Sequence, residues 1–176
     1  MVNQDSNPLG IFFGRRSIRR YQDRAIEPEK VDALLKAAMA APSAVAKDPW
    51  RFVVLQDKVV LKRVSEGLRN GKFLADAALG IVVCGDLSAA HDHQESYMLQ
   101  DCSAAIENIL LAAQALGLGT CWLGVHPRPA RIAFMREALG IPESITPISG
   151  IAIGYPAETK EARSRYDASR VHYDKW

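Results

Sequence analysis

YMLQDCSAAIENILLAAQALGLGTCWLG, residues 97–124, is the stretch on which the fold turns. Leu99, Cys102, Ala105, Ile106, Ile109, Leu110, Ala113 and Leu116 recur at helical spacing and cover more than one narrow face. Ser103, Ala104, Ala105, Ala112, Ala113 and Ala115 allow another element to approach closely. A helix over 97–116 with this composition is buried on most sides, at the centre of the domain or at a subunit interface. Gly117-Leu118-Gly119 stops it, and Thr120 to Val125 follows as a strand. A dinucleotide-binding turn needs the reverse order, strand then helix, with a third glycine. Here position 122 is Trp. The glycine pair is therefore not that motif, and its remaining use is to let backbone N–H groups approach a flat ligand.

Working outward, Glu27-Pro28 starts a helix whose Val31, Leu34, Leu35, Ala38 and Met39 form one apolar stripe, ended by Pro42-Ser43. Ala44 to Trp50 reads as a loop, Arg51 to Leu55 as a strand, and Lys58 to Leu68 as a second helix broken at Asn70-Gly71. A short helical piece at Phe73-Leu74 leads into Leu79 to Cys84, an uninterrupted apolar strand of the kind buried on both faces. Ala89 to Ser96 is polar and reads as an exposed loop. Pro129 to Leu139 is another helix, stopped by Gly140 and Pro142, and Ile148 to Tyr155 is the last strand. Helices and strands mix without strict alternation. The expected class is α+β, with a mixed, mainly antiparallel sheet covered by helices.

At 176 residues, 48% hydrophobic and 24% charged, the chain is expected to form one globular domain over 1–176, with 160–176 as a C-terminal arm. The net charge of +2 is too small to argue for a nucleic-acid partner. Its distribution says more, because positive charge gathers at both ends: +3 over 1–24 and +2 over 160–176. These could converge on one anionic ligand if the ends meet in space. Cys84, Cys102 and Cys121 lack paired spacing, and the apolar contexts of Cys84 and Cys102 suit buried free thiols. Asn3-Gln4-Asp5-Ser6-Asn7 interrupts any early apolar run, and no stretch reaches membrane-spanning length. The expectation is a reducing, cytoplasmic setting and no membrane partner.

Near the N-terminus, Gly14-Arg15-Arg16-Ser17-Ile18-Arg19-Arg20-Tyr21 packs four arginines and a serine into six positions. Guanidinium forks match phosphate oxygens two at a time, and serine adds a short donor. That equipment suits a phosphate monoester; the competing reading is a solvated basic face. His91-x-His93-x-Glu95 has metal-ligand chemistry but no further spaced partner, so no metal is expected. No Gly-x-Ser-x-Gly is present. Trp50 and Trp122 could stack on a ligand or serve as core residues.

Together these segments resemble the nitroreductase family of FMN-dependent oxidoreductases. The resemblance is carried by Gly14 to Tyr21, Ala41-Pro42-Ser43-Ala44 with Pro49-Trp50, Gly117 to Gly124, Ile153-Gly154-Tyr155-Pro156 and Val171-His172-Tyr173. It implies a homodimer with FMN at the subunit interface and helix 97–116 as the dimer core. Arg15, Arg16 and Ser17 match the segment gripping the phosphate side, and Arg163 and Arg165 a basic pair returning to it from the C-terminal arm. Arg19 matches a basic residue near the pyrimidine edge. Pro42, Ser43 and Ala44 match a loop along the flavin, and Leu123 and Gly124, next to Trp122, a segment whose backbone N–H approaches flavin N5.

The chain departs from the family at Ala46, commonly Asn and a polar contact to the ring, and at Asp48, commonly Gln. What the resemblance implies is hydride transfer from NADH or NADPH through flavin N5 to a flat acceptor: a nitroaromatic, quinone or activated alkene. The flavin does the chemistry, so no side chain is named as catalytic. The alternatives are a relative with different chemistry (dehalogenation or flavin fragmentation) and a flavin-binding or regulatory protein with little turnover. Nucleic-acid binding through the arginines would show a steep salt dependence.

Overall fold

A computed structural model describes residues 8–176, so the polar stretch Asn3–Asn7 lies outside the described residues. Among the described residues five α-helices and four strands follow in the order α1 (Gly10–Gly14), α2 (Pro28–Met39), β1 (Trp50–Leu55), α3 (Lys58–Glu66), β2 (Leu79–Asp86), α4 (Glu95–Ala115), β3 (Gly119–Gly124), α5 (Pro129–Leu139) and β4 (Ile145–Gly154). The strands form one sheet in the order β1-β2-β4-β3, antiparallel in every ladder. The parallel component expected of a mixed sheet reduces to an isolated bridge between Ser17 and Thr120.

The continuous apolar runs are explained by burial on both faces. Along β2, Leu79, Ile81 and Val83 join a cluster with α2 and α4, whereas Val82 and Cys84 join a second cluster with α3 and α5. In β4, Ile151 and Ile153 face the first cluster and Ala152 the second. A strand between two helical layers has no solvent face, so its sequence cannot alternate in polarity. Trp50 is 6% exposed within the first cluster, so it is a core residue and not a ligand stacker.

Helix α4 presses Met98, Cys102, Ala105, Ile106, Ile109 and Ala113 into the core of its own chain. Its other side is only half-covered: Tyr97, Gln100, Ala104, Glu107 and Leu111 keep contact with solvent. The helix is thus central and leaves a flank available to a partner. Two local differences from the sequence expectation have simple causes. The 89–96 loop holds a short 3-10 turn at His91–His93 and buries Ala90, while α4 starts at Glu95. The short α1 buries no residue, so no periodic stripe marked it.

Candidate functional site

The arginine-rich segment lies along the free edge of β3. Ile18 donates its backbone N–H to the Thr120 carbonyl at 2.8 Å, and its side chain is buried. Gly119 is the floor for that side chain: a Cβ there would stand 2.9 Å from Cβ, Cγ1 and Cγ2 of Ile18. Gly117 adopts φ +73°, the left-handed conformation that favours glycine after a helix. At Gly119 the close approach expected of this glycine pair is thus made by Ile18 of the chain itself, whereas a Cβ on Gly117 would meet nothing within 4 Å.

The segment after β4 holds the other side. Ala157 N–H donates to the Arg20 carbonyl at 2.9 Å, and Arg163 N–H to the Phe13 carbonyl at 3.3 Å. Lys160 Nζ donates to the Ser17 carbonyl at 2.5 Å, and Glu158 Oε1 accepts the Arg19 N–H at 2.6 Å. That N–H, together with Lys160, holds the Glu158 carboxyl below the usual range. Arg16 Nη1 donates to the Glu161 carbonyl at 2.7 Å. The two basic chain ends therefore meet.

Between them is an open cavity of about 390 Å³ lined by Phe12, Arg15, Arg16, Ser17, Arg19, Lys160, Arg163 and Arg165. Among the described residues six cations and no carboxylate line it. Partial burial first, then Arg163, Arg15 and Arg165, push the Arg16 guanidinium below its ordinary pKa. Like charges gathered this closely repel, and a multiply charged anion in the cavity would relieve them.

Arg19 also lines an adjoining cavity of about 220 Å³ with Leu68, Asn70, Gly71, Cys121, Trp122, Leu123, Gly124 and Arg131. Here Trp122 is 40% exposed although its neighbour Leu123 is buried. A Cβ built on Gly124 meets nothing within 4 Å, so this backbone faces open space. Burial pushes the Cys121 thiol above its usual pKa, which keeps it protonated and unreactive.

Pro42, Ser43, Ala44 and Ala46 line neither cavity. Their loop is organised on itself: Ser43 Oγ donates to Asp48 Oδ1 at 2.5 Å and accepts the Asp48 N–H at 3.0 Å. The Ser43 hydroxyl proton and the Asp48 charge are thus turned on each other. Ala44 N–H donates to Asp101 Oδ1 at 2.9 Å. Val45, Ala46 and Asp48 adopt φ of 52°, 51° and 49°, uncommon for residues other than glycine.

Eight sequence-predicted residues thus fall on two joined cavities in addition to Arg19, which is common to both: Arg15, Arg16, Ser17, Arg163 and Arg165 on one, Trp122, Leu123 and Gly124 on the other. Lys160, Asn70, Gly71 and Arg131 were missed. Lys160 counted only towards the charge of the arm, and Asn70-Gly71 registered only as a helix break. His91, His93 and Glu95 do not converge: His91 pairs with Asp92 at 3.4 Å, His93 faces the Leu87 carbonyl, and Glu95 pairs with His126 at 3.1 Å. Among the described residues no helix is long and apolar enough to cross a membrane.

The chain is 47% identical over 171 residues to an Archaeoglobus fulgidus protein provisionally named NADH dehydrogenase/NAD(P)H nitroreductase, covering 96% of this chain and 98% of that protein. Among solved structures, an FMN-dependent nitroreductase from Clostridium difficile superimposes with a TM-score of 0.88 at 35% identity, covering 96% of this chain and 99% of the other. A nitroreductase-type protein from Desulfovibrio desulfuricans, solved in complex with FMN, gives 0.83 at 32% identity over 97% and 99% of the two chains. The model of the nitroreductase family matches residues 13–70 and 62–155, and with this fold and these relatives the chain belongs to that family.

Proposed function

We propose that this chain is an FMN-dependent oxidoreductase that passes hydride from NADH or NADPH to a flat electron acceptor such as a nitroaromatic, a quinone or an activated alkene. The observation that carries the reading is the pair of cavities joined at Arg19, one lined by six cations and the other faced by open backbone at Gly124. Their donor chemistry fits a phosphate at one end and a planar, hydrogen-bonding ring at the other. FMN supplies a ring that accepts and returns hydride at N5.

The chain's own residues bind, orient and tune. Arg15, Arg16, Ser17, Arg163 and Arg165 would hold the phosphate, with Lys160 fixing the Ser17 carbonyl. Arg19 places a cation at the ring end, where it favours the reduced anion. The backbone of Leu123 and Gly124 offers N–H groups to the ring, and Trp122 offers a flat wall. The active unit in this reading is a homodimer. The loop carrying Pro42, Ser43, Ala44 and Ala46 lies off both cavities in its own chain, and a second copy would bring its loop to the ring.

The test is comparative binding. FMN should bind far more tightly than riboflavin, since charge-assisted bonds to phosphate contribute about 1.5–3 kcal/mol each. Equal affinities would overturn the phosphate assignment. Rapid reduction of the bound flavin by NADH or NADPH in a stopped-flow cell, and reoxidation by an acceptor, separates an enzyme from a flavin-binding protein.

A further inference from the structure

Arg131 sits in the first turn of α5, which has no acidic residue there. The positive end of a helix dipole disfavours a guanidinium at that place. The side chain nevertheless turns back across the strand end. Its Nη1 donates to the Gly124 carbonyl at 2.6 Å, and it lines the same cavity as Arg19, Trp122 and Gly124. Among the described residues no carboxylate lines this cavity, so the two guanidinium groups impose a positive potential on whatever lies against the Leu123–Gly124 backbone.

We propose that Arg131 is a positioning residue for the ring end of the cofactor site. Its bond to Gly124 fixes the 123–124 backbone, and its charge, added to that of Arg19, makes the cavity bind the reduced, negatively charged flavin more tightly than the neutral oxidised one. The proposal deepens the FMN reading and rests on it. It also divides the cations by task. Arg15, Arg16, Arg163 and Arg165 face a phosphate whose charge is the same in both redox states, so they bind both forms equally. Arg19 and Arg131 face the part whose charge changes, so they alone set the redox preference.

The experiment compares wild type, Arg131→Gln, Arg131→Lys and Arg128→Gln. Thermal melts first confirm that each variant is folded. Affinity for oxidised FMN is measured by fluorescence quenching and the midpoint potential by dye-coupled titration; together they give the ratio of affinities for the two redox forms. Arg131→Gln is expected to weaken binding of reduced FMN about tenfold more than binding of oxidised FMN, the size expected of one partly screened charge. Arg131→Lys should keep most of the preference, and Arg128→Gln, outside the cavity lining, should keep all of it. An unchanged ratio in Arg131→Gln overturns the proposal, as does an equal loss in Arg131→Lys, which would mark a purely structural role. Wild-type protein that binds neither form would instead overturn the FMN reading itself.

Discussion

The buried carboxylate of Asp101, in the second turn of α4, accepts the backbone N–H of Ala44 at 2.9 Å and so tethers the 42–48 loop to the central helix. Asp101 is 5% exposed, and its other oxygen, Oδ2, is buried with no hydrogen-bond partner among the described residues. A half-satisfied buried carboxylate is a costly tether. Asp101→Asn keeps an acceptor for the Ala44 N–H, so it should hold the loop to the helix with little change in stability. Asp101→Ala leaves the N–H unpaired and should cost about 1–3 kcal/mol in urea unfolding. Equal stabilities for the two variants would show that the hydrogen bond contributes nothing.

Ala46 is a conformational misfit as well as a departure from the family pattern. At φ 51° a left-handed alanine is strained, whereas asparagine tolerates that region. Ala46→Asn should therefore stabilise the protein without any ligand, by roughly 0.5–1 kcal/mol. A separate gain in FMN affinity, about two- to tenfold for one net hydrogen bond, is expected only if the loop reaches the ring of a partner's cofactor. Chemical unfolding reads the first effect and cofactor titration the second. A gain in neither would mean that the loop is unstrained and distant.

The layout of helices and strands was legible because each core element carries a strong period or an unbroken apolar run. Pro28 and Gly140 mark helix ends by their fixed or left-handed φ. The cationic end of the candidate site was legible too, since arginines are conspicuous and the two ends of the chain carry the same sign. Lys160 and Arg131 were not, because each acts by donating to a backbone carbonyl, of Ser17 and Gly124 respectively, and a carbonyl leaves no mark in the side-chain pattern. Nothing in local spacing encodes such a pairing. The role of Gly119 was misread for a similar reason: its neighbour, Ile18, is far away in sequence.

Gly119→Ala tests that contact. The new methyl group would meet branch-point atoms of Ile18 that cannot swing aside. Overpacking of this kind costs typically about 1–3 kcal/mol. Loss of the Ile18–Thr120 hydrogen bond would also displace Arg15 to Arg19, so FMN affinity should fall together with stability. Gly124→Ala, with open space before it, should leave the melting temperature unchanged. Identical melting behaviour of the two variants would contradict the packing argument.

The two sides of α4 should separate folding from association. Ile106 is fully buried inside its own chain, so Ile106→Arg should prevent folding. Leu111 is half-buried on the open side, so Leu111→Glu should leave a folded chain that sediments as a monomer and loses FMN. A Leu111→Glu dimer with full cofactor affinity would place the interface elsewhere.

A last prediction concerns the clamp between α2 and the end of β4. Tyr155 donates its hydroxyl to Glu27 Oε2 at 2.5 Å and accepts Lys30 Nζ at 2.7 Å, while the Arg24 guanidinium lies 3.7 Å from the centre of its ring. The tyrosine hydrogen bond is the main reason the Glu27 carboxyl is held down to about 2 from an ordinary 4.5. It is also the main reason Lys30 is raised above its ordinary 10.5. A carboxyl with a depressed folded-state pKa stabilises the fold above its unfolded value and loses that contribution as the pH falls towards 2. A raised lysine does the opposite, contributing below its unfolded value and losing it as the pH climbs past 10.5. Tyr155→Phe removes the hydroxyl shared by both partners and keeps the ring under Arg24. Its melting temperature should therefore fall furthest below wild type between the ordinary values of Glu27 and Lys30, 4.5 and 10.5, and the gap should narrow on either side. A gap independent of pH would mean that the hydroxyl contributes by packing alone.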